Sequence, residues 1–410
     1  MLSNIERPTA PPARLQKVFA DLTTTILANG LIGFIFAATG PFAVILSVGT
    51  RGGLTSAELA SWVFGVFVVN GLLSLVMSWR YQMPLAFGWT IPGTVLVGPA
   101  LQHLPFSAVI SAFYATSLLI LLLGLSGFVK RLMSALPMPI VMGMVAGVFL
   151  HFGLDVILAL DRDAAIAAPM VIVFFLCSAI PALGRRLPPV IAALLVGAIV
   201  IAMLGRLDLG DLGALGVARP IIQTPSWSWA AMLELVVPLT ITVLVVQNGQ
   251  GVAVLKTAGH EPPITMIAVA CGIGSALSAA FGAVSSCLTG PTNALISSSG
   301  DKTRHYTGGL AFGCLALIFG ILAPTFTNLT LATPKAFIMV LAGLAMLRAL
   351  QSAFITSFGS GKFTLGALVS LLVTVADVSL FNIGSAFWGL VAGFVVSWLM
   401  ERNDFKTQEQ

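Results

Sequence analysis

Apolar runs of bilayer-spanning length follow one another along almost the whole chain, leaving little sequence for a water-exposed surface. Only 9% of the 410 residues are charged and 58% are hydrophobic, against about 25% charged in soluble domains. A soluble enzyme, a nucleic-acid-binding domain and a disordered chain are excluded together. The net charge of +5 reads as basic cytoplasmic loops, not as a nucleic-acid footprint. Cys177, Cys271, Cys287 and Cys314 have apolar neighbours and no metal-ligand spacing. No disulfide frame, metal or cofactor is expected.

Segmentation at charges, Pro and Gly yields seven segments in each half. They are 22–48, 59–79, 84–101, 106–128, 133–158, 166–182 and 187–205, then 230–256, 264–282, 283–299, 308–326, 334–356, 363–380 and 382–400. A polar connection, 206–229, separates the halves, and tails of 1–21 and 401–410 flank them. The N-terminal tail lacks a signal-peptide pattern and is expected to stay uncleaved. With both tails placed in the cytoplasm, Lys and Arg divide fifteen inside to five outside, the asymmetry expected of an inner-membrane protein.

Short matches recur in order between the halves. Thr90-Ile91-Pro92 answers Thr289-Gly290-Pro291, and Leu195-Val196-Gly197 answers Leu390-Val391-Ala392-Gly393. Seven is odd, so serial repeats must lie inverted across the membrane, the arrangement of many secondary transporters. The expected fold is an all-α polytopic membrane protein of fourteen transmembrane segments in two inverted seven-span repeats, 22–205 and 230–400.

The third and tenth segments are the most informative. A residue before Pro is pushed to extended geometry, whereas Pro suits a first helical turn. Each segment therefore predicts a short extended strand followed by a half-helix starting at Pro92 or Pro291. Irregular backbone at membrane depth must be buried in protein or line a cavity. Two inverted strands lying side by side would aim both half-helix N-termini at one point, a site for an anion. Ordinary kinked spans are the alternative.

Gln247-Asn248-Gly249-Gln250-Gly251, Leu288 to Ala294 with Ser297-Ser298-Ser299-Gly300, and Pro84 to Thr94 together resemble the benzoate/proton symporter (BenE) family over about residues 15–400. A more distant similarity is to nucleobase and sulfate-type anion carriers. The resemblance implies an aromatic carboxylate substrate, proton cotransport and, often, a homodimer. It also implies a core domain, 22–128 plus 230–326, and a gate domain, 133–205 plus 334–400. An anion channel or exchanger with another small anionic or nucleobase-like substrate is the alternative. Nucleobase carriers tend to place Glu where Gln247 and Pro291 stand here, and a neutral site suits an anionic substrate.

The candidate substrate-binding residues are Thr39, Phe87, Trp89, Thr90, Gln247, Gln250, Ser286, Leu288, Thr289 and Gly290. Gln247 and Gln250 offer uncharged donors and acceptors, with helix–helix hydrogen bonding as the alternative role. Asn293 suits capping or cross-linking. Phe87 and Trp89, with Phe42, could stack on an aromatic ring. The proton-coupling candidates are Glu234, Asp377, His151 and Asp155, since acids within spans are costly and often functional. His151 and Asp155 stand four apart and share a helix face. Gly359 to Lys362 lacks the spacing of a phosphate loop, and His260-Glu261 lacks the second His of a zinc protease.

Overall fold

The computed structural model describes residues 5–8, 11–129, 131, 137–207, 216–378, 380 and 384–406. Lys130, residues 208–215 of the connection, the starts of the segments placed at 133 and 382, and residues 407–410 of the C-terminal tail lie outside the described residues.

Two helices, α1 (Thr24–Ala37) and α2 (Gly40–Arg51), are separated by a break at Thr39. Then come α3 (Ser56–Tyr81), β1 (Phe87–Trp89), α4 (Ile91–His103) and α5 (Phe106–Ser126). The first half ends with α6 (Met138–Arg162), α7 (Ala164–Ala179) and α8 (Pro189–Met203). The second half opens with α9 (Trp229–Thr257), α10 (Ile264–Ala280), β2 (Ser286–Leu288) and α11 (Gly290–Ile296). It closes with α12 (His305–Ile321), α13 (Ala323–Leu331), α14 (Lys335–Phe358), α15 (Thr364–Val375) and α16 (Ser385–Met400).

Local chemistry sets several boundaries. Thr55 Oγ1 accepts from the Glu58 N–H while the Glu58 carboxylate accepts from the Thr55 N–H, at 3.2 and 2.8 Å, starting α3 with a reciprocal cap. Gly127, at φ +73°, ends α5 in the left-handed region. Within α9, π-helical turns at Met232–Val236 and Thr242–Gln247 flank Pro238, which cannot donate to a regular ladder.

The chain is a mostly helical polytopic membrane protein. By length and composition, six helices are able to cross a membrane: Thr24–Arg51 taken together, α3, α5, α6, α9 and α14. The α12–α13 pair, bent by 68°, makes a seventh. Five more apolar helices, α7, α8, α10, α15 and α16, have 12 to 17 residues. At 1.5 Å per residue these cover roughly 18–26 Å of a ~30 Å hydrocarbon core. Helix length alone thus accounts for seven of the fourteen expected segments.

The halves interleave. Helix α3 packs on α12 and α5 on α10, while α6 packs on α14. Neighbours α7 and α8 pack together, as do α15 and α16. Each of these contacts has its counterpart when the halves are exchanged in order.

Strands β1 and β2 pair antiparallel, with Phe87 opposite Leu288, Gly88 opposite Cys287 and Trp89 opposite Ser286. Both are buried throughout. Their outer edges are closed by side chains. Ser74 of α3 accepts from the Phe87 N–H at 2.8 Å, and Ser275 of α10 accepts from the Ser286 N–H at 3.0 Å. Asn248 Oδ1 accepts from the Leu288 N–H at 2.7 Å. An unpaired backbone group here would cost about 1–3 kcal/mol, so these polar residues are what permit extended chain at this depth.

Candidate functional site

A cavity of about 1010 Å³ opens beside the paired strands. Thr39, Trp89, Gln247, Gln250, Thr289 and Thr292 line it around the strand–helix junctions, and Ser178, Ser352, Thr356 and Arg348 line it from α7 and α14. Most other lining groups are apolar, among them Phe36, Val145, Phe149 and Leu344. Pro92 and Pro291 also line it, so the first turns of α4 and α11 converge on one space. Those helices begin at Ile91 and Gly290, one residue before the proline expected.

The two N-termini differ. Thr90 Oγ1 caps α4 by accepting from the Gly93 N–H at 3.1 Å. Thr289 makes no such cap on α11, and its hydroxyl donates to the Ala86 carbonyl at 3.4 Å. Trp89 packs on Phe67 with ring centroids 4.9 Å apart. Its buried Nε1–H has no protein acceptor, so an unspent donor belongs to a residue of the lining. Gln250 lies against Gly290, where any Cβ would stand 2.5 Å from Gln250 Cγ. Only glycine lets that amide approach the start of α11.

Five of the ten substrate candidates line the cavity: Thr39, Trp89, Gln247, Gln250 and Thr289. The others stand behind it. Phe87 is fully buried, as are Thr90, Ser286 and Leu288. Gly290 is defined by its contact with Gln250. Asn248 and Asn293 cross-link backbone instead of lining the space. Phe42 packs edge-on against Phe319, with centroids 5.4 Å apart.

Arg348 of α14 is the one charged side chain among the described lining residues. It is exposed and donates to Gln351 at 3.2 Å. In the sequence it is one of the fifteen cations that the charge asymmetry assigns to the cytoplasmic side. A cation deep within the apolar segment 334–356, far from Lys335 at its edge, is the available signal.

A second cavity, of about 570 Å³, holds all four proton-coupling candidates. It lies at the opposite ends of helices that line the first. Helix α2 reaches the first cavity with Pro41 and the second with Ser47 and Arg51. Helix α4 does so with Pro92 and Gln102, and α9 with Gln247 and Glu234. Glu234 is 4% exposed and meets His103 Nε2 at 3.0 Å. Asp155 takes Arg51 of α2 as its partner instead of His151. The fixed guanidinium charge outcompetes an exposed imidazole on the same helix. Asp377 is exposed, at φ +49° just past the end of α15, so it stands outside the helix in which the sequence placed it. Among the described residues no cluster of three His, Cys, Asp or Glu forms a metal site.

Comparison with known proteins gives the family. The family described as "Benzoate membrane transport protein", BenE, matches residues 20–399. The chain is 29% identical over 399 residues to the inner membrane protein YdcO of Escherichia coli strain K12, covering 95% of this chain and all of that one. It is 25% identical over 392 residues to a benzoate membrane transport protein of Acinetobacter baylyi, covering 94% and 98%. Among solved structures, the transmembrane domain of the cyanobacterial bicarbonate transporter BicA superposes with a TM-score of 0.58 at 16% identity, covering 91% of this chain and 98% of that one. SLC26A9 superposes with a TM-score of 0.64 at 13% identity, covering 91% and 64%. These two likenesses establish the fold. The matched family consists of membrane transport proteins and not enzymes, and with nearly its whole length aligned, this chain belongs to the benzoate membrane transport protein family.

Proposed function

We propose that the chain is a secondary carrier that imports a small aromatic carboxylate, benzoate-like, by proton symport through alternating access. The observation that carries this reading is the convergence of two helix N-termini with Thr39, Thr289, Thr292, two glutamines and a tryptophan on one largely apolar cavity. Apolar walls suit a ring, and helix N-termini with amide and indole donors suit a carboxylate. The carboxylate sits between the starts of α4 and α11, within reach of Gln247, Gln250, Thr289 and the Trp89 indole. Thr39, Phe87, Thr90, Ser286, Leu288 and Gly290 shape or support that site. Arg348 draws the anion toward the mouth.

Fourteen spans in two inverted repeats, 22–205 and 230–400, account for the reciprocal packing and for the matched roles of Ser74 and Ser275. The core domain is 22–128 plus 230–326, and the gate domain is 133–205 plus 334–400. The second cavity, at the other ends of the same helices, is the route of the opposite state. Proton coupling involves the group around it: Glu234, Asp155, Asp377 and His151. The protein resides in the bacterial inner membrane with both termini cytoplasmic, as a homodimer.

Uptake of labelled benzoate into proteoliposomes, with and without an imposed proton gradient, tests this. Saturable accumulation driven by the gradient and abolished by a protonophore is expected. Uptake indifferent to the gradient would remove symport, and unsaturable, proton-independent current would establish a channel.

A further inference from the structure

We propose that His103 and Glu234 share one exchangeable proton, and that this proton ties α4 to α9 across the wall of the second cavity. The hydrogen-bond geometry requires it. His103 Nδ1 lies 3.1 Å from the Pro99 carbonyl, and a carbonyl only accepts, so Nδ1 carries hydrogen. Nε2 faces Glu234 Oε2 at 3.0 Å. That contact needs one proton, either on Nε2 as an imidazolium–carboxylate pair or on Oε2 as an imidazole–acid pair. Without it, two lone pairs face each other at a buried carboxylate. Moving the Nδ1 proton across would break the Pro99 bond and re-aim the ring.

The contact joins α4 to α9. It also reaches the chain entering α16, because a Cβ at Gly384 would stand 2.4 Å from Glu234 Oε1. Losing the proton therefore unties α4 from α9, two elements that wall the second cavity. The other charged groups facing it are Arg51 and Asp155, which pair with each other across α2 and α6, and His151 and Asp377. The Arg51–Asp155 pair is complete without a shared proton. His151 and Asp377 are titratable and serve as controls.

The inference rests on the carrier reading, in which the second cavity is the route of the opposite state. Its test reads accessibility alone, so its failure leaves the transport reading intact. The full chain, with exposed Cys314 and cavity-lining Cys177 changed to Ser, carries Ser47→Cys in the second cavity. Maleimide labelling in proteoliposomes is followed from mildly acidic to alkaline pH and divided by the rate in the same protein with Glu234→Gln. The ratio cancels the thiol's own titration. The Gln amide donates to a bare Nε2 or accepts from a protonated one, so the contact does not depend on the shared proton.

The ratio is expected to rise by roughly tenfold toward alkaline pH, the shift that loss of one hydrogen bond to a charged group produces. His103→Gln, whose amide donates to the ionised carboxylate, should abolish the rise as Glu234→Gln does. His151→Gln and Asp377→Asn should preserve it. A flat ratio, or a rise that disappears in either control variant, overturns the assignment.

Discussion

Asn293 holds both backbone groups of Ala86: its Oδ1 accepts from the Ala86 N–H at 2.9 Å and its Nδ2 donates to the Ala86 carbonyl at 3.0 Å. The same Nδ2 donates to the Thr289 carbonyl at 2.7 Å. One side chain at the start of α11 thus extends the strand ladder by a residue and ties the two broken segments together. Its amide satisfies groups 207 residues away in sequence.

Asn293→Leu, close in volume, removes these bonds and strands the Ala86 N–H. A buried group left unpaired costs about 1–3 kcal/mol. Thermal unfolding in detergent should begin several degrees lower, with uptake lost in proportion to folded protein. An unchanged unfolding temperature would show that the ladder extension contributes nothing.

Gln247→Glu tests the anion site. The neutral amide donates to a carboxylate, whereas an ionised Glu only accepts and repels. Benzoate affinity should fall roughly ten- to a hundredfold at alkaline pH, the equivalent of about 1.5–3 kcal/mol. The defect should shrink as acid protonates the new carboxyl and restores a donor. Isothermal titration across pH decides; wild-type affinity throughout would place Gln247 in helix packing.

Trp89→Phe keeps a ring against Phe67 and deletes the indole donor. If that donor meets the substrate carboxylate, KM rises by roughly tenfold, the cost of one charge-assisted hydrogen bond. Unfolding temperature should hardly move, because the Nε1–H has no protein acceptor to lose. An unaltered KM would remove Trp89 from carboxylate recognition.

His260, in the loop between α9 and α10, meets His305 with its Nε2 3.2 Å from Nδ1. Burial, then the neighbouring charges of His305 and Lys302, lower its pKa from 6.5 to about 4. The unfolded chain therefore binds this proton more readily. The stability contributed by neutral His260 is complete above pH 6.5 and is lost as pH falls toward 4. The loss grows by about 1.4 kcal/mol per pH unit in that window. His260→Gln should flatten the fall of unfolding temperature over that range. The same slope in both proteins would show that this pair does not sense pH.

Properties written in local order were legible from the chain alone. Low charge and repeated apolar runs dictated a membrane solvent. Thr-x-Pro at corresponding places in both halves dictated extended chain entering a half-helix, because the backbone limits imposed by Pro act on its nearest neighbours. Tertiary structure alone decided what seals those strands. Ser74, Ser275, Asn248 and Asn293 look like any polar residue in a helix, and their acceptor roles depend on which backbone edge the packing brings to them. It also decided that Phe87, Ser286 and Leu288 stand behind the cavity while Trp89, Gln247 and Gln250 line it. Strand alternation and helix phase assign a side chain to a face, but what that face meets depends on elements as distant as 200 residues. Asp155 gives the same lesson. Its helical neighbour His151 was visible at four residues' spacing, yet its partner is Arg51, brought from another helix, where a permanent charge pairs more strongly with a buried carboxylate than a nearby imidazole does.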